Sequence, residues 1–263
     1  MVASASFTGP QYYDGLGPIW FDAFAADLAR RLPHRPPGEV LEIACGTGIV
    51  TRRLRERLGA SLRLVATDLS RTMLDYARAK LGGKGIEWRE ADAMKLPFAD
   101  GAFGAVVCGF GLMFVPDRQA ALAEARRMLA DGGTLLFNVW DRIEENRHAL
   151  ANAMVLEAMF PGDAEIQFRT PYEMHDPGLL RRLLAGARFR ETRIETKRIP
   201  IERADPRSIA TGQIRGTPRS ALLEQRGASL DRVIDRVTEA LAKAGGDPYS
   251  GHAQAVIVQA EAV

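Results

Sequence analysis

Three short stretches of the sequence place a glycine or a carboxylate at or directly after the end of a run of residues predicted as a strand. In the first, the run V-L-E-I-A-C leads into Gly46 and Gly48, and a G-x-G turn of this kind lets the backbone approach a ligand closely. Asp68 ends the second run, 20 residues after Gly48, where a carboxylate can accept both hydrogen bonds of a ribose diol. Asp92 follows the third run and can receive the exocyclic amine of an adenine.

These three stretches lie in a regular alternation of predicted strands and helices. Strands are predicted at residues 39–44, 62–69, 86–91, 102–110 and 134–140, with helices at 49–58, 70–81 and 117–129. The alternation favours an α/β fold with a doubly wound, mostly parallel sheet, in which ligands bind beyond the carboxyl ends of the strands. The alternative is that the three stretches are ordinary tight turns with helix caps.

The glycine pattern bears on which adenosine cofactor would bind. The dinucleotide fingerprint G-x-G-x-x-G requires a third glycine, and Thr51 stands at that position. A pyrophosphate needs a clear helix N-terminus, whereas a cofactor without phosphate does not. The departure favours S-adenosylmethionine over NAD or a nucleotide sugar.

Residues 37–140 resemble the class I S-adenosylmethionine-dependent methyltransferases. The resemblance rests on residues 40–48, 67–68, 90–98 and 129–140. Together with a matching block at residues 94–104, it points to the subgroup typified by the ubiquinone/menaquinone-biosynthesis C-methyltransferases. Ala44 and Gly104 depart from the motifs of that subgroup. The resemblance implies a Rossmann-like fold of seven strands with a small helical cap, in which residues 252–260 form an antiparallel last strand.

The resemblance also implies a set of cofactor-binding residues. They are Tyr13, Ala44, Cys45, Gly46, Gly48, Asp68, Leu69, Met73, Asp92, Ala93, Cys108 and Phe110. The glycines would pack against the methionine moiety, Leu69 would flank the adenine, and the segment after the fourth strand would face the sulfonium. Tyr12 and Tyr13 are candidates for an aromatic lid, since an aromatic ring attracts a cation. They would equally suit an ordinary packed arm.

Methyl transfer needs a general base only where the acceptor must lose a proton. His175 is the candidate base, and its alternative role is structural, since it precedes a predicted N-cap at Asp176. His148 lies among charged residues and is predicted to be on the surface, whereas His252 is predicted to be structural. Cys45 and Cys108 are predicted to be small buried residues rather than nucleophiles.

The chain divides into five predicted segments. They are an N-terminal arm and helix acting as a lid (1–36), a cofactor-binding core (37–140), the rest of the core with a cap segment (141–199), a helical cap insert (200–250) and the last core strand (251–263). We expect the cap segments to cover the substrate cleft, where the variable part of such folds sets substrate choice.

Composition excludes several classes of protein. The 263 residues carry a net charge of +2, which gives no general attraction for nucleic acid or an anionic membrane, and no apolar run is long enough for a membrane helix. Two cysteines and no signal peptide favour the cytoplasm, and four scattered histidines give no metal site. The sequence does not decide whether the chain forms a homo-oligomer.

The sequence therefore predicts an enzyme that transfers a methyl group from S-adenosylmethionine to a small-molecule acceptor, mainly by positioning the nucleophile in line with the sulfonium methyl. The acceptor atom, carbon, nitrogen or oxygen, is not identified. Two alternatives keep the same cofactor. One is a non-catalytic binding module, and the other is a biosynthetic reaction without methyl transfer.

Overall fold

A computed structural model describes residues 9–33, 36, 38–59, 61–83, 85–166 and 169–263. The first eight residues of the predicted arm lie outside the described part. The chain forms two compact units. The sheet unit comprises residues 23–141, 171–197 and 255–263, and the helical unit comprises residues up to 22, 142–170 and 198–254.

The described residues form seven strands and ten α-helices. The strands are β1 Glu39–Glu42, β2 Leu64–Asp68, β3 Ile86–Glu90, β4 Phe103–Gly109, β5 Leu129–Trp140, β6 Phe189–Ala204 and β7 Tyr249–Ala262. The helices are α1 Pro10–Asp14, α2 Asp22–Arg31, α3 Ile49–Leu58, α4 Arg71–Leu81, α5 Arg118–Met128, α6 Arg147–Met159, α7 Pro177–Gly186, α8 Pro206–Arg215, α9 Arg219–Gln225 and α10 Leu230–Gly245. A π-helical turn, Gly17–Phe21, leads directly into α2.

The seven strands form one sheet in the order β3-β2-β1-β4-β5-β7-β6. Strands β1 to β5 pair in parallel, and β7 runs antiparallel to β5, with Phe137 opposite Val258. The strands β1, β2 and β4 are almost wholly buried, as expected for a parallel sheet covered on both faces. The predicted doubly wound α/β sheet and its antiparallel last strand are confirmed.

Two helices of the sheet unit begin at a residue whose side chain caps them. Ser70 caps α4 by accepting a hydrogen bond from the Met73 N–H, and Gly82 ends it with a φ of 68°. Asp117 caps α5 in the same way through the Ala120 N–H. These boundaries agree with the predicted ones to within one residue.

Strand β5 begins earlier than predicted. The sequence predicts that the preceding helix ends at residue 129 and that the strand starts at Thr134. In the structure Leu129 already pairs with Phe103, and the next pair is Thr134 with Ala105. Residues 130–133 therefore form a bulge opposite one residue of β4, which the D-G-G sequence permits because glycine adopts positive φ at low cost.

The helical unit corrects the prediction for His148. This histidine is only 1% exposed, although charged residues surround it in sequence. Its ring stacks on the indole of Trp20, with 4.4 Å between the ring centroids, inside a unit where α10 packs on α6 and α8. The charged neighbours lie on other faces of the same helical segment, so local composition did not reveal which face is buried.

Candidate active site

The candidate site lies where the strand order of the sheet unit reverses. Strands β1 and β4 are neighbours at the centre, with β2 and β3 on one side and β5 on the other. Crossovers diverge at such a switch point and leave a crevice beyond the carboxyl ends of the strands. Apart from Met73, the predicted site residues from Ala44 to Phe110 lie at or just after the ends of β1, β2, β3 and β4, so the sheet brings them to one edge.

The turn after β1 is built from residues with positive φ. Ala44, Gly46 and Gly48 have φ values of 53°, 56° and 80°. A side chain added at Gly46 would meet no atom within 4 Å, whereas one at Gly48 would lie 2.8 Å from Leu81. Gly48 is therefore required by packing against α4, while Gly46 borders open space where a ligand can approach the backbone.

Asp68 joins the end of β2 to this turn. Its Oδ2 accepts a hydrogen bond from the Gly46 N–H at 2.8 Å, and its Oδ1 accepts one from the Ser70 N–H at 2.8 Å. Burial raises the pKa of the Asp68 carboxyl, and these backbone donors oppose that rise. Each carboxylate oxygen keeps a further lone pair, so the group can still accept hydrogen bonds from a diol.

The end of β3 forms a compact turn around Asp92. Its Oδ1 accepts a hydrogen bond from the Met94 N–H at 2.8 Å, which fixes the carboxylate beside the half-buried Ala93. The Ala91 N–H donates to the carbonyl of Asp68 at 3.0 Å, so the ends of β2 and β3 are held together. Leu69, between them, is 69% exposed and offers an apolar surface to a ligand.

The end of β4 carries a buried aromatic residue in a strained conformation. Phe110 has a φ of 56°, which is unusual for a bulky residue, and its N–H donates to Asn138 Oδ1 at 2.9 Å. Its ring packs on Phe24 and on Trp140, with centroids 5.2 Å and 4.3 Å away, and Trp140 in turn stacks on Tyr172. These four rings thus form an aromatic cluster at the end of β4.

Both cysteines are buried thiols, as predicted. Burial raises the pKa of Cys108 to about 12 and also raises that of Cys45. Neither thiol is ionised near neutral pH, so neither is an activated nucleophile.

Glu42 is a buried acid that the sequence reasoning did not single out. It is the last residue of β1 and only 1% exposed. Burial raises its pKa to about 8, which hydrogen bonding to Thr51 opposes and the nearby Asp68 reinforces. The Glu42 carboxyl is therefore mostly protonated at neutral pH. The signal in the sequence was an acidic residue inside an apolar strand directly before a glycine turn.

Three predicted residues lie away from the strand ends. Met73 is half-buried in the first turn of α4. Tyr13 belongs to the helical unit, where its ring stacks on Phe21 with 5.0 Å between centroids. His175 is in the sheet unit before α7, and its Nδ1 lies 2.7 Å from the Tyr172 carbonyl oxygen.

The described residues contain no group of three or more His, Cys, Asp or Glu side chains that could hold a metal ion.

Among the helices described, none has the length and apolar character needed to cross a membrane.

Residues 41–137 match the family described as "Methyltransferase domain". A demethylmenaquinone methyltransferase of Deinococcus radiodurans is 40% identical over 119 residues, which cover 44% of this chain and 47% of that protein. A second one, from Thermus thermophilus, is 42% identical over 114 residues, covering 43% of this chain and 50% of that protein. The chain spans about half the length of these curated relatives.

Solved structures share the architecture over most of the chain. A protein of Bacillus halodurans, named only provisionally as a methyltransferase, superposes with a TM-score of 0.61 at 20% identity, covering 91% of this chain and 98% of its own. At such identity the likeness shows the fold. Over residues 41–137 the chain is similar to the methyltransferase domain family, and over the matched segments it is similar to demethylmenaquinone methyltransferases.

Proposed function

We propose that the chain transfers a methyl group from S-adenosylmethionine to a small-molecule acceptor. The observation that carries the proposal is the hydrogen bond between Asp68 and the Gly46 N–H at the switch point of the sheet. The hydrogen bond holds a carboxylate, which can accept hydrogen bonds from a diol, next to a turn with open space at Gly46, and this supports the proposal. The matched methyltransferase domain covers this region of the chain.

The arrangement at the strand ends suggests which residues would bind each part of the cofactor. The turn Ala44–Gly48, including Cys45, would contact the methionine moiety, and Asp68 would bind the ribose hydroxyls. The adenine would lie among Leu69 and Met73, which follow β2, and Asp92 and Ala93, which follow β3. Cys108 and Phe110 would lie beside the sulfonium, where an aromatic ring attracts the positive charge. A similar fold was solved with S-adenosylmethionine bound, that of a geranyl diphosphate methyltransferase, at a TM-score of 0.52 and 20% identity over 92% of this chain and 85% of its own.

The reaction depends more on positioning the acceptor in line with the methyl group than on activating the acceptor. An electron pair of the acceptor forms a bond to the methyl carbon while the carbon–sulfur bond breaks, and the electron pair of the broken bond stays on sulfur, which gives S-adenosylhomocysteine. The acceptor then gives up its proton to solvent or to a base, for which His175 remains our candidate. Holding the two reactants in line supplies about 7–11 kcal/mol in favourable cases.

The identity of the acceptor, the bounds of the cofactor-binding core and the cellular compartment are also part of the proposal. The matched relatives are named demethylmenaquinone methyltransferases, and we propose a quinone-like small molecule for this chain as well. We propose residues 37–140 as the cofactor core and the cytoplasm as the compartment, which two unpaired cysteines support. Binding to nucleic acid or membranes is not expected from the charge balance.

Calorimetric titration with S-adenosylhomocysteine tests the proposal, with NAD as the control ligand. We expect saturable binding of S-adenosylhomocysteine alone and a sharp loss of affinity in Asp68→Ala. Absence of binding to folded, ligand-free protein would overturn the proposal. Transfer of a labelled methyl group to naphthoquinols then tests catalysis, since binding without transfer to any acceptor would favour a non-catalytic module or a different reaction.

A further inference from the structure

The loop between β3 and β4, called here the β3 loop, is held by an arginine at the end of α5. The guanidinium of Arg127 donates to the backbone carbonyls of Leu96 and Phe98, at 2.9 Å each. It also donates to the carboxylate of Asp100 and, through two of its nitrogens, to that of Glu124. A guanidinium has five N–H groups, and these five contacts use all of them.

Glu124 holds the same loop through a backbone N–H. Its Oε1 accepts a hydrogen bond from the Leu96 N–H at 2.6 Å, while Arg127 binds the same carboxylate. The Glu124 side chain is 13% exposed, and the hydrogen bond from Arg127 lowers the pKa of its carboxyl, so the pair is charged at neutral pH. Both backbone polar groups of Leu96 are therefore bound to α5, one to each member of this ion pair.

Leu96 directly follows the turn that carries Asp92. The Lys95 N–H donates to the Asp92 carbonyl oxygen at 2.9 Å, which closes the turn. At the other end of the turn, the Ala91 N–H donates to the Asp68 carbonyl oxygen at 3.0 Å. The turn thus has two attachments, one to the end of β2 and one to α5 through Leu96. The position of the Asp92 carboxylate depends on both.

The neighbouring arginine of α5 makes a similar set of contacts elsewhere. Arg126 donates to the main-chain oxygens of Leu129 and Val263 and to the Asp131 carboxylate. These acceptors lie in β5 and directly after β7, outside the β3 loop. Of these two adjacent arginines, Arg127 is therefore the one that binds the loop carrying Asp92.

We propose that Arg127 and Glu124 are positioning residues for the adenine base, and that they hold the Asp92 carboxylate, through the Leu96 backbone, where it accepts the exocyclic amine of the cofactor. The inference rests on the proposed function, because it concerns the adenine site assigned there. A carboxylate accepts a hydrogen bond from an amine and repels a carbonyl oxygen, so its placement sets which purine base is preferred. The alternative is an ion pair that stabilises the fold without affecting this preference.

Calorimetric titration of the full chain with S-adenosylhomocysteine and S-inosylhomocysteine separates the two roles. The second ligand has a carbonyl oxygen in place of the purine amine. We expect the wild type to bind the adenosyl ligand at least about tenfold more tightly, since a hydrogen bond to a charged group is lost with the inosyl ligand. Asp92→Asn should lose most of this preference, and Arg127→Gln should reduce it to about threefold or less.

Three further variants complete the experiment. Arg126→Gln is the matched control, which removes a neighbouring guanidinium with similar contacts, and it should keep the wild-type preference. Arg127→Gln added to Asp92→Asn should not change the preference further, because a residue that acts through Asp92 has no effect once that carboxylate is absent. Glu124→Gln keeps an oxygen for the Leu96 N–H and should lower the preference by about twofold. It carries the test if Arg127→Gln does not fold.

Unchanged preference in folded Arg127→Gln or, failing that, in Glu124→Gln would overturn the inference. So would an equal loss of affinity for both ligands, which would identify a structural ion pair, or the same loss of preference in Arg126→Gln. Failure of S-adenosylhomocysteine to bind the wild type would count against the proposed function. A wild-type preference that Asp92→Asn removes and Arg127→Gln leaves intact would count against this inference alone.

Discussion

The Asp68 carboxylate accepts a hydrogen bond from the Gly46 N–H, with 2.8 Å between Oδ2 and the nitrogen. The two residues belong to different strand–helix connections, and the contact fixes the position of one connection relative to the other. Asp68 also accepts the Ser70 N–H, which leads into α4. One carboxylate therefore shapes the turn and offers its remaining lone pairs to a ligand.

Replacing Asp68 by asparagine should weaken S-adenosylhomocysteine binding by about 10- to 100-fold, because hydrogen bonds to a charged group are stronger and the new amide can accept through one oxygen only. Calorimetry measures the change. Asp75→Asn, at an exposed position of α4, is the matched control and should bind normally. Unchanged affinity in Asp68→Asn on folded protein would contradict the assignment of this carboxylate to the ribose.

Gly46 and Gly132 form a matched pair for testing the glycine turn. Both have positive φ, 56° and 75°, and a side chain at either would meet no atom within 4 Å. We expect alanine at each position to lower stability by a similar amount, about 1–2 kcal/mol, since both backbones are in the left-handed region. Only Gly46→Ala should abolish S-adenosylhomocysteine binding, because its methyl group would occupy the space proposed for the ligand.

Denaturant unfolding and calorimetry on the two glycine variants supply the comparison. Intact binding in Gly46→Ala would show that the ligand does not approach this turn. Loss of binding in both variants would mean that general destabilisation, and not steric exclusion, caused it.

The sheet and its site were largely predictable because their signals are local. A short predicted strand followed by glycine or aspartate identifies a strand end. Gly46 and Asp68 follow mostly apolar runs, and Asp92 follows the alternating run I-E-W-R-E-A. Parallel pairing then brings all strand ends to one edge of the sheet. No knowledge of distant contacts was needed.

The helical unit was not predictable in the same way. His148 was assigned to the surface from its charged neighbours, yet its ring stacks on Trp20, which is 128 positions earlier in the chain. Only the packing of separate segments determines which face of α6 is buried. Glu42 was missed for a related reason, since its burial depends on the strands on either side of β1.

The tautomer of His148 follows from its contacts. One amide atom of Gln213 lies within hydrogen-bond distance of both the His148 carbonyl oxygen and Nδ1. A carbonyl only accepts, so that atom is the nitrogen, and Nδ1 is the acceptor. We therefore expect the proton on Nε2, and long-range nitrogen–proton NMR spectra should show a neutral Nε2–H ring from pH 5 to 8. Titration of this ring near pH 6.5, or an Nδ1–H signal, would contradict the buried arrangement.

Glu42 should make the stability of the ligand-free protein depend on pH. Its pKa is about 8 in the folded chain and 4.5 ordinarily, so between these values the folded state holds a proton that the unfolded state has released. The free energy of unfolding must then decrease as pH rises, by about 1.4 kcal/mol per unit, and level off above pH 8. His148, whose pKa is lowered, contributes its own pH dependence below about 6.5, so the useful window is pH 6.5–9.

Glu42→Gln isolates this contribution, because glutamine has a similar shape and cannot ionise. Denaturant unfolding at pH 6.5, 7.5, 8.5 and 9 should show the decline in the wild type and a nearly flat profile in the variant. Glu56→Gln changes an exposed carboxylate on α3 and should keep the wild-type slope. The same slope in Glu42→Gln would mean that another group releases the proton, and Glu42 would then be ionised in the folded chain.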